Sequence, residues 1–380
     1  MKEKWKQRLG SSLMVVLTLA MGIACGAAGG RILQGTIDSL WSILAVVLFF
    51  YAAVVLQILL HEAGHWVFGA LTGYRCYSFR VFSLCFVMLD GKVSVKRFSL
   101  AGTGGQCLMA PPPLKDGKMP YKLYNLGGVL MNLITAGVSY GLYRLCAGKP
   151  WAALFFLLMA GVGVGFALMN GIPLHTAAID NDGYNALSLG RSPEALQALW
   201  KQLTISEQTY RGVRLRDMSA AWFDMPEMAG ERNALVDTIA VFRENRLMDA
   251  GYLPEAAALT DKLLGGSYAL VGVYRQLLVC DRIFCGLMAG EDAAKLEALY
   301  TPQLVKFMGQ MKNFPAVLRT AYAWELLHNR DQEKAAQLRR RFERVTKSYP
   351  APADAASERE LMALAREKAA QENCPEKDFV

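Results

Sequence analysis

The sequence predicts an all-α integral membrane core of about four transmembrane helices, with a small β-hairpin between the second and third, followed by a C-terminal soluble helical domain of stacked helix pairs. Three observations carry this reading. The 380 residues are 53% hydrophobic yet still 19% charged, with a mean hydropathy of +0.20, too apolar for an ordinary soluble enzyme and too charged for a bare channel. Four apolar stretches, roughly 11–33, 41–71, 122–146 and 151–172, are each long enough to cross about 30 Å of hydrocarbon at about 1.5 Å per residue. The charge is also unevenly placed: 15 of the 41 Lys and Arg precede Asn185 against 7 of the 33 Asp and Glu, which leaves 26 of each sign beyond it. The excess behind the pI near 9.0 therefore belongs to hydrophobic segments and their flanks, which points to a lipid bilayer and away from nucleic acid. The expected domains are an N-terminal tail and first span over 1–40, a membrane core over 41–186 and a cytosolic helical domain over 187–380.

The first apolar stretch follows MKEKWKQR, and GIACGAAGG offers small residues for cleavage, but the apolar run continues through Ile32 and Leu33, which favours a span over a signal peptide. Positive charges set the orientation. Lys2, Lys4, Lys6 and Arg8 precede the first span, and eight basic residues from Arg75 to Lys122 lie between the second and third, whereas the connections at 34–40 and 147–150 hold only Lys149. By the positive-inside rule both termini are cytoplasmic in a multi-pass protein. Between the second and third spans, FRVFSLCFVML and KVSVKRFSL are rich in β-branched and aromatic residues and flank Asp90-Gly91, a hairpin signal; AGTGGQCLMAPPP, after them, reads as a loop. The eight cysteines form no CxxC pair and read as unpaired thiols.

From about Leu187 the pattern becomes amphipathic helices, with starts at Ser192-Pro193-Glu194, Asp224-Met225-Pro226-Glu227 and Tyr252-Leu253-Pro254-Glu255. Two stretches, GYLPEAAALTDKLL and HNRDQEKAAQLRRRFERVTKSYP, faintly resemble tetratricopeptide units, without a clean 34-residue period.

The second span contains HEAGH at 61–65. On a helix, positions i and i+4 project from one face, so His61 and His65 form a bidentate metal site with Glu62 adjoining as general base. Ionisable groups in hydrocarbon cost about 2.5–3.5 kcal/mol each, and a bound zinc ion returns on the order of 10 kcal/mol, enough to offset them. A catalytic zinc site needs a third protein ligand. Past the fourth span, NGIPLHTAAIDNDG supplies three candidates: His175, Asp180 and Asp182.

At this point the chain resembles the site-2 protease family of intramembrane zinc metalloproteases, which pairs HExxH with an Asn-x-x-Pro…Asp-Gly segment on a later helix. The matching residues are His61, Glu62 and His65, then Asn170, Pro173, Asp182 and Gly183; Asn132 in GGVLMN falls where the family keeps an intramembrane asparagine. The resemblance covers roughly 41–190. It implies one Zn2+ held by His61, His65 and Asp182, Glu62 as the catalytic base, and Asn132 and Asn170 as substrate-positioning or supporting residues. Gly183 would permit a tight turn aiming Asp182 at the metal. The gap from Pro173 to Asp182 is longer than the family's and leaves His175 and Asp180 as alternatives. The implied activity is peptide-bond cleavage in or near the transmembrane segment of a single-span membrane protein, in a bacterial plasma membrane, with the hairpin edge at 79–100 available to an unwound substrate strand. The helical domain is expected to bind a protein partner or regulate access. The competing readings are a non-catalytic scaffold with a structural or vestigial metal site, and a membrane zinc hydrolase acting on a lipid or prenylated peptide.

Overall fold

Hydrocarbon offers no water to peptide groups, so an apolar stretch crossing it must close its own hydrogen bonds as a helix. In the computed structural model, which describes residues 2–34, 39–99, 103–146, 148–174, 181–225 and 233–372, the four apolar stretches are helices: α1 (Lys2–Ile32), α2 (Leu40–Ala70), α3 (Lys122–Leu145) and α4 (Pro150–Gly171). All four are long and apolar enough to span a membrane. The Ser39 hydroxyl caps α2 by accepting from the Ser42 amide, and Pro150 opens α4, where its missing N–H costs nothing. Leu154, Leu158 and Val162 of α4 pack with Ala53 of α2 and Cys25 of α1. Val15, Leu19 and Ile23, Val47 and Leu48, and Ile134 and Val138 face outward on α1, α2 and α3, as lipid requires.

Lipid tails are as apolar as leucine, so membrane helices associate through close packing rather than hydrophobic burial. The α2–α3 pair illustrates this at Gly64 and Gly127, which lie backbone to backbone: a Cβ on Gly64 would run into the Gly127 carbonyl and meet Met131 Cβ at 2.6 Å. This approach brings the His61–His65 face of α2 against α3.

Four short strands lie between α2 and α3. β1 (Arg75–Val81) pairs antiparallel with β4 (Gly105–Ala110), from Arg75↔Ala110 to Val81↔Gly105, with an irregularity between Cys76 and Ser78. β2 (Leu84–Leu89) and β3 (Lys92–Arg97) form the expected hairpin, turning at Asp90 and Gly91, both at positive φ. The sequence reading needs two corrections. The run 79–89 is broken at Phe82, whose φ of 52° ends β1 before β2 begins. Half of the expected loop AGTGGQCLMAPPP is β4, because the Phe82 amide donates to the Gly104 carbonyl and alternate residues Cys107 and Met109 turn inward; flanking glycines and prolines hide that alternation.

The chain divides into two compact units, 1–82 with 104–196 and 83–103 with 197–380. The second contains the hairpin and most of a helical array: α6 (Pro193–Tyr210), α7 (Ala234–Asp249), α8 (Leu253–Gly265), α9 (Gly272–Ala289), α10 (Ala293–Leu299), α11 (Pro302–Gln310), α12 (Pro315–Ala323), α13 (Gln332–Thr346) and α14 (Pro352–Glu372). The helix starts expected near Pro193 and Pro254 are present, and the one at Pro226 lies outside the described residues. Ile283 and Phe284, Leu304, Phe342 and Leu361 form its core. The fully buried Arg319 is stacked over Phe284 and paired with Asp281 and Glu358. The hairpin is tied to this array by Arg211–Asp90 at 2.7 Å, by Ser348 Oγ donating to the Arg97 carbonyl at 3.3 Å, and by Phe98 edge-on to Tyr349.

The glycine contact yields a test. Gly64→Ala and Gly127→Ala should each destabilise the detergent-solubilised protein by about 1–3 kcal/mol, read as a lower thermal midpoint, whereas Gly137→Ala, with nothing near its Cβ, should leave it unchanged.

Candidate metal centre

Helical spacing places the His61 and His65 rings one turn apart on α2, within two to three turns of its C-terminal end. A third donor arrives from α5 (Asp182–Arg191), whose first residue is Asp182. The three donor atoms converge: His61 Nε2 to His65 Nε2 is 3.2 Å, His61 Nε2 to Asp182 Oδ2 is 3.1 Å, and His65 Nε2 to Asp182 Oδ2 is 3.4 Å. The side chains are 11%, 12% and 22% exposed.

The far side of each imidazole decides what these atoms are. His61 Nδ1 lies 2.6 Å from Asn132 Oδ1, and His65 Nδ1 lies 2.7 Å from the Tyr124 carbonyl. A carbonyl oxygen can only accept, so both Nδ1 atoms donate. The Asn132 orientation is fixed independently, since its Nδ2 donates to the Gln57 carbonyl at 3.1 Å and to Gln57 Oε1 at 2.7 Å, while Gln57 Nε2 donates to the Met159 carbonyl at 2.9 Å. In neutral rings both Nε2 atoms therefore present lone pairs to each other and to a carboxylate oxygen that has no hydrogen-bond partner. Three electron-rich atoms in such a cluster repel one another unless a cation sits among them. Their separations match a metal site, because tetrahedral bonds of about 2.0–2.1 Å space the donors about 3.3 Å apart. The His61–His65–Asp182 group can hold a metal ion, and among the described residues no other trio of such donors converges.

Asp182 reaches the histidine pair from the first turn of α5. Asn181 sets its position. The Asn181 Oδ1 accepts from the Tyr184 and Leu174 amides, both at 3.0 Å, while Nδ2 donates to the Met169 and Ile172 carbonyls, so one side chain caps α5 and clamps it to the end of α4. The expected reason for Gly183 needs correcting: it is not at positive φ but lies in the first turn of α5, where a side chain would collide with the Gly171 carbonyl.

Glu62 is on the same helix, and its carboxyl rests against β4, where a Cβ on Gly105 would meet Glu62 Oε1 at 2.5 Å. Asn132 holds His61, whereas the Asn170 amide donates at 3.0 Å to the Phe166 carbonyl of its own helix. His175 and Asp180 lie outside the described residues. Sequence reasoning missed Gln57 and Asn181. Each left a signal: a polar residue one turn before His61 in an apolar run, and an asparagine immediately before Asp-Gly at a helix start.

Comparison with protein-family models, with curated proteins and with solved structures finds no match to this chain.

Elemental analysis of purified variants checks the ligand set. His65→Ala and Asp182→Ala should lose bound metal, and Asp180→Ala should retain it; full occupancy in Asp182→Ala would refute the assignment. Asn132→Ala should keep the metal but bind it about 10–100-fold more weakly, because a ring without its Nδ1 acceptor is a poorer and less ordered ligand.

Proposed function

We propose that the chain is an intramembrane zinc metallopeptidase that cleaves a peptide bond in or near the transmembrane segment of a membrane-protein substrate. The observation that carries the reading is the convergence of two imidazole lone pairs from the apolar helix α2 and an unpaired carboxylate oxygen from the start of α5, beside a glutamate. The donor set of two nitrogens and one oxygen suits zinc. His61, His65 and Asp182 would hold the zinc, which would supply a Lewis acid and lower the pKa of a water toward 7. Glu62 takes a proton from the attacking water and delivers it to the leaving amide nitrogen. Asn132 and the Tyr124 carbonyl keep both imidazoles in the tautomer with a free Nε2. Resemblance to the site-2 protease family supports the same reading.

A helical substrate hides its carbonyls in backbone bonds and must unwind before attack. The strand beside Glu62 is β4, so an extended substrate stretch pairs along β4 in this reading, rather than along the hairpin. Topology also supports a membrane setting. In this reading the hairpin and the helical array, joined by Asp90–Arg211 and Arg97–Ser348, lie on one side of the bilayer, with α3 and α4 as the two crossings between them in the chain. The basic residues between α2 and α3 favour the cytoplasm for that side by the positive-inside rule.

Glu62→Gln separates a peptidase from a metal-bearing scaffold. Co-expressed with single-span membrane proteins, the wild type should release fragments detectable by mass spectrometry, and Glu62→Gln should retain metal while cleavage falls at least about 10²-fold. Equal fragment yield from both would refute the mechanism. Chelation by 1,10-phenanthroline should abolish cleavage, and added zinc should restore it.

A further inference from the structure

The chain beyond Asn185 is electrically neutral overall, but its charges are segregated. A cleft of about 740 Å³ between α13 and α14 is lined by Arg339, Arg340, Arg344 and Lys347 from the first helix and by Arg359 and Arg366 from the second, against a single carboxylate, Glu343. Arg340, Arg344 and Lys347 follow i, i+4, i+7 and so share one stripe, and Arg359 and Arg366 are likewise two turns apart. Among the described residues, no carboxylate pairs with Arg340, Arg344, Lys347 or Arg366. Six cations around one anion repel one another, and the usual remedy of interspersed acids is missing here. Arg341, off this stripe, bonds Asn313 instead.

We infer that this cleft is the docking site for an acidic polypeptide segment, a partner that presents Asp or Glu side chains interspersed with apolar ones. Three features favour that occupant over a lipid surface. The site is concave, whereas a bilayer is met by a flat or convex face. Five of its six cations are guanidinium groups, whose planar forks match carboxylates, and the cleft already contains that interaction: Arg359 grips Glu343 through Nε and Nη2, both at 3.0 Å. Its lining also includes apolar surface from the half-buried Ala363 and the methylene stems of the arginines, which suits a peptide carrying apolar side chains between its acids. The inference does not depend on the metal centre or on cleavage.

The test uses the full chain in detergent and a fluorescein-labelled peptide of alternating glutamate and leucine, followed by anisotropy. Binding should be saturable and weaken as salt is raised from about 50 to about 500 mM, as expected for exposed charges. The double substitution Arg340→Glu with Arg344→Glu should weaken it by about tenfold or more, and the same variant should gain affinity for a lysine–leucine peptide. Lys306→Glu, exposed on α11 outside the cleft, should change neither, and circular dichroism confirms that each variant is folded. Undiminished binding of the acidic peptide by the double variant would overturn the proposal. So would tighter binding of short-chain phosphatidylglycerol, inorganic phosphate or a single-stranded oligonucleotide at the same residues.

Discussion

Two imidazole nitrogens and a carboxylate oxygen held 3.1–3.4 Å apart in a largely dehydrated setting repel each other, and most of the membrane unit is arranged around keeping them there. In water such a cluster would relax by turning outward. Here each group is held from behind: His61 by Asn132, His65 by the Tyr124 carbonyl, and Asp182 by the helix cap of Asn181. The amide chain from Asn132 through Gln57 to the Met159 carbonyl extends that hold across three helices. Polar groups in hydrocarbon are expensive unless paired, so such a chain is itself a strong constraint on how α2, α3 and α4 assemble.

Backbone proximity makes the hold possible. Asn132 reaches His61 because Gly64 and Gly127 let α2 and α3 touch, and the His61 ring lies over Gly128, where any side chain would displace it. Small residues at a membrane interface thus serve two ends at once, close packing and the placing of a ring against its partner. The same logic applies where Gly105 admits the Glu62 carboxyl and where Gly183 seats α5 against the end of α4.

The second unit depends on different physics. Its core is conventional apolar packing around Phe284 and Phe342, with Arg319 buried against Asp281 and Glu358. Its insertion 83–103 comes from between two membrane helices, so the chain passes back and forth between the units and a change in one has three covalent routes to the other. A domain neutral overall but with six cations lining one cleft beside a single carboxylate is suited to recognition rather than to simple solvation.

Patterns local in the chain were legible without coordinates. The four apolar stretches had to become helices, because nothing else satisfies peptide groups in lipid; Asp90-Gly91 had to turn; and His61 and His65 had to share a face, because a helix repeats every 3.6 residues. What depends on distant residues was open or misread. β4 looked like a loop, since its six residues show their alternation only once β1 is beside them. Asn170 and Asn132 looked equivalent, yet Asn170 turns back on its own helix while Asn132 reaches another. Three acceptable ligands stood within eight residues of sequence, and spacing could not rank them. The sequence by itself determined that two histidines able to share a metal lie on one face of an apolar helix, a consequence of local periodicity. Only the tertiary structure decided that Asp182 meets that pair and that Gln57 and Asn181 secure it, because those contacts join elements more than 70 residues apart or depend on how two helix ends are clamped together.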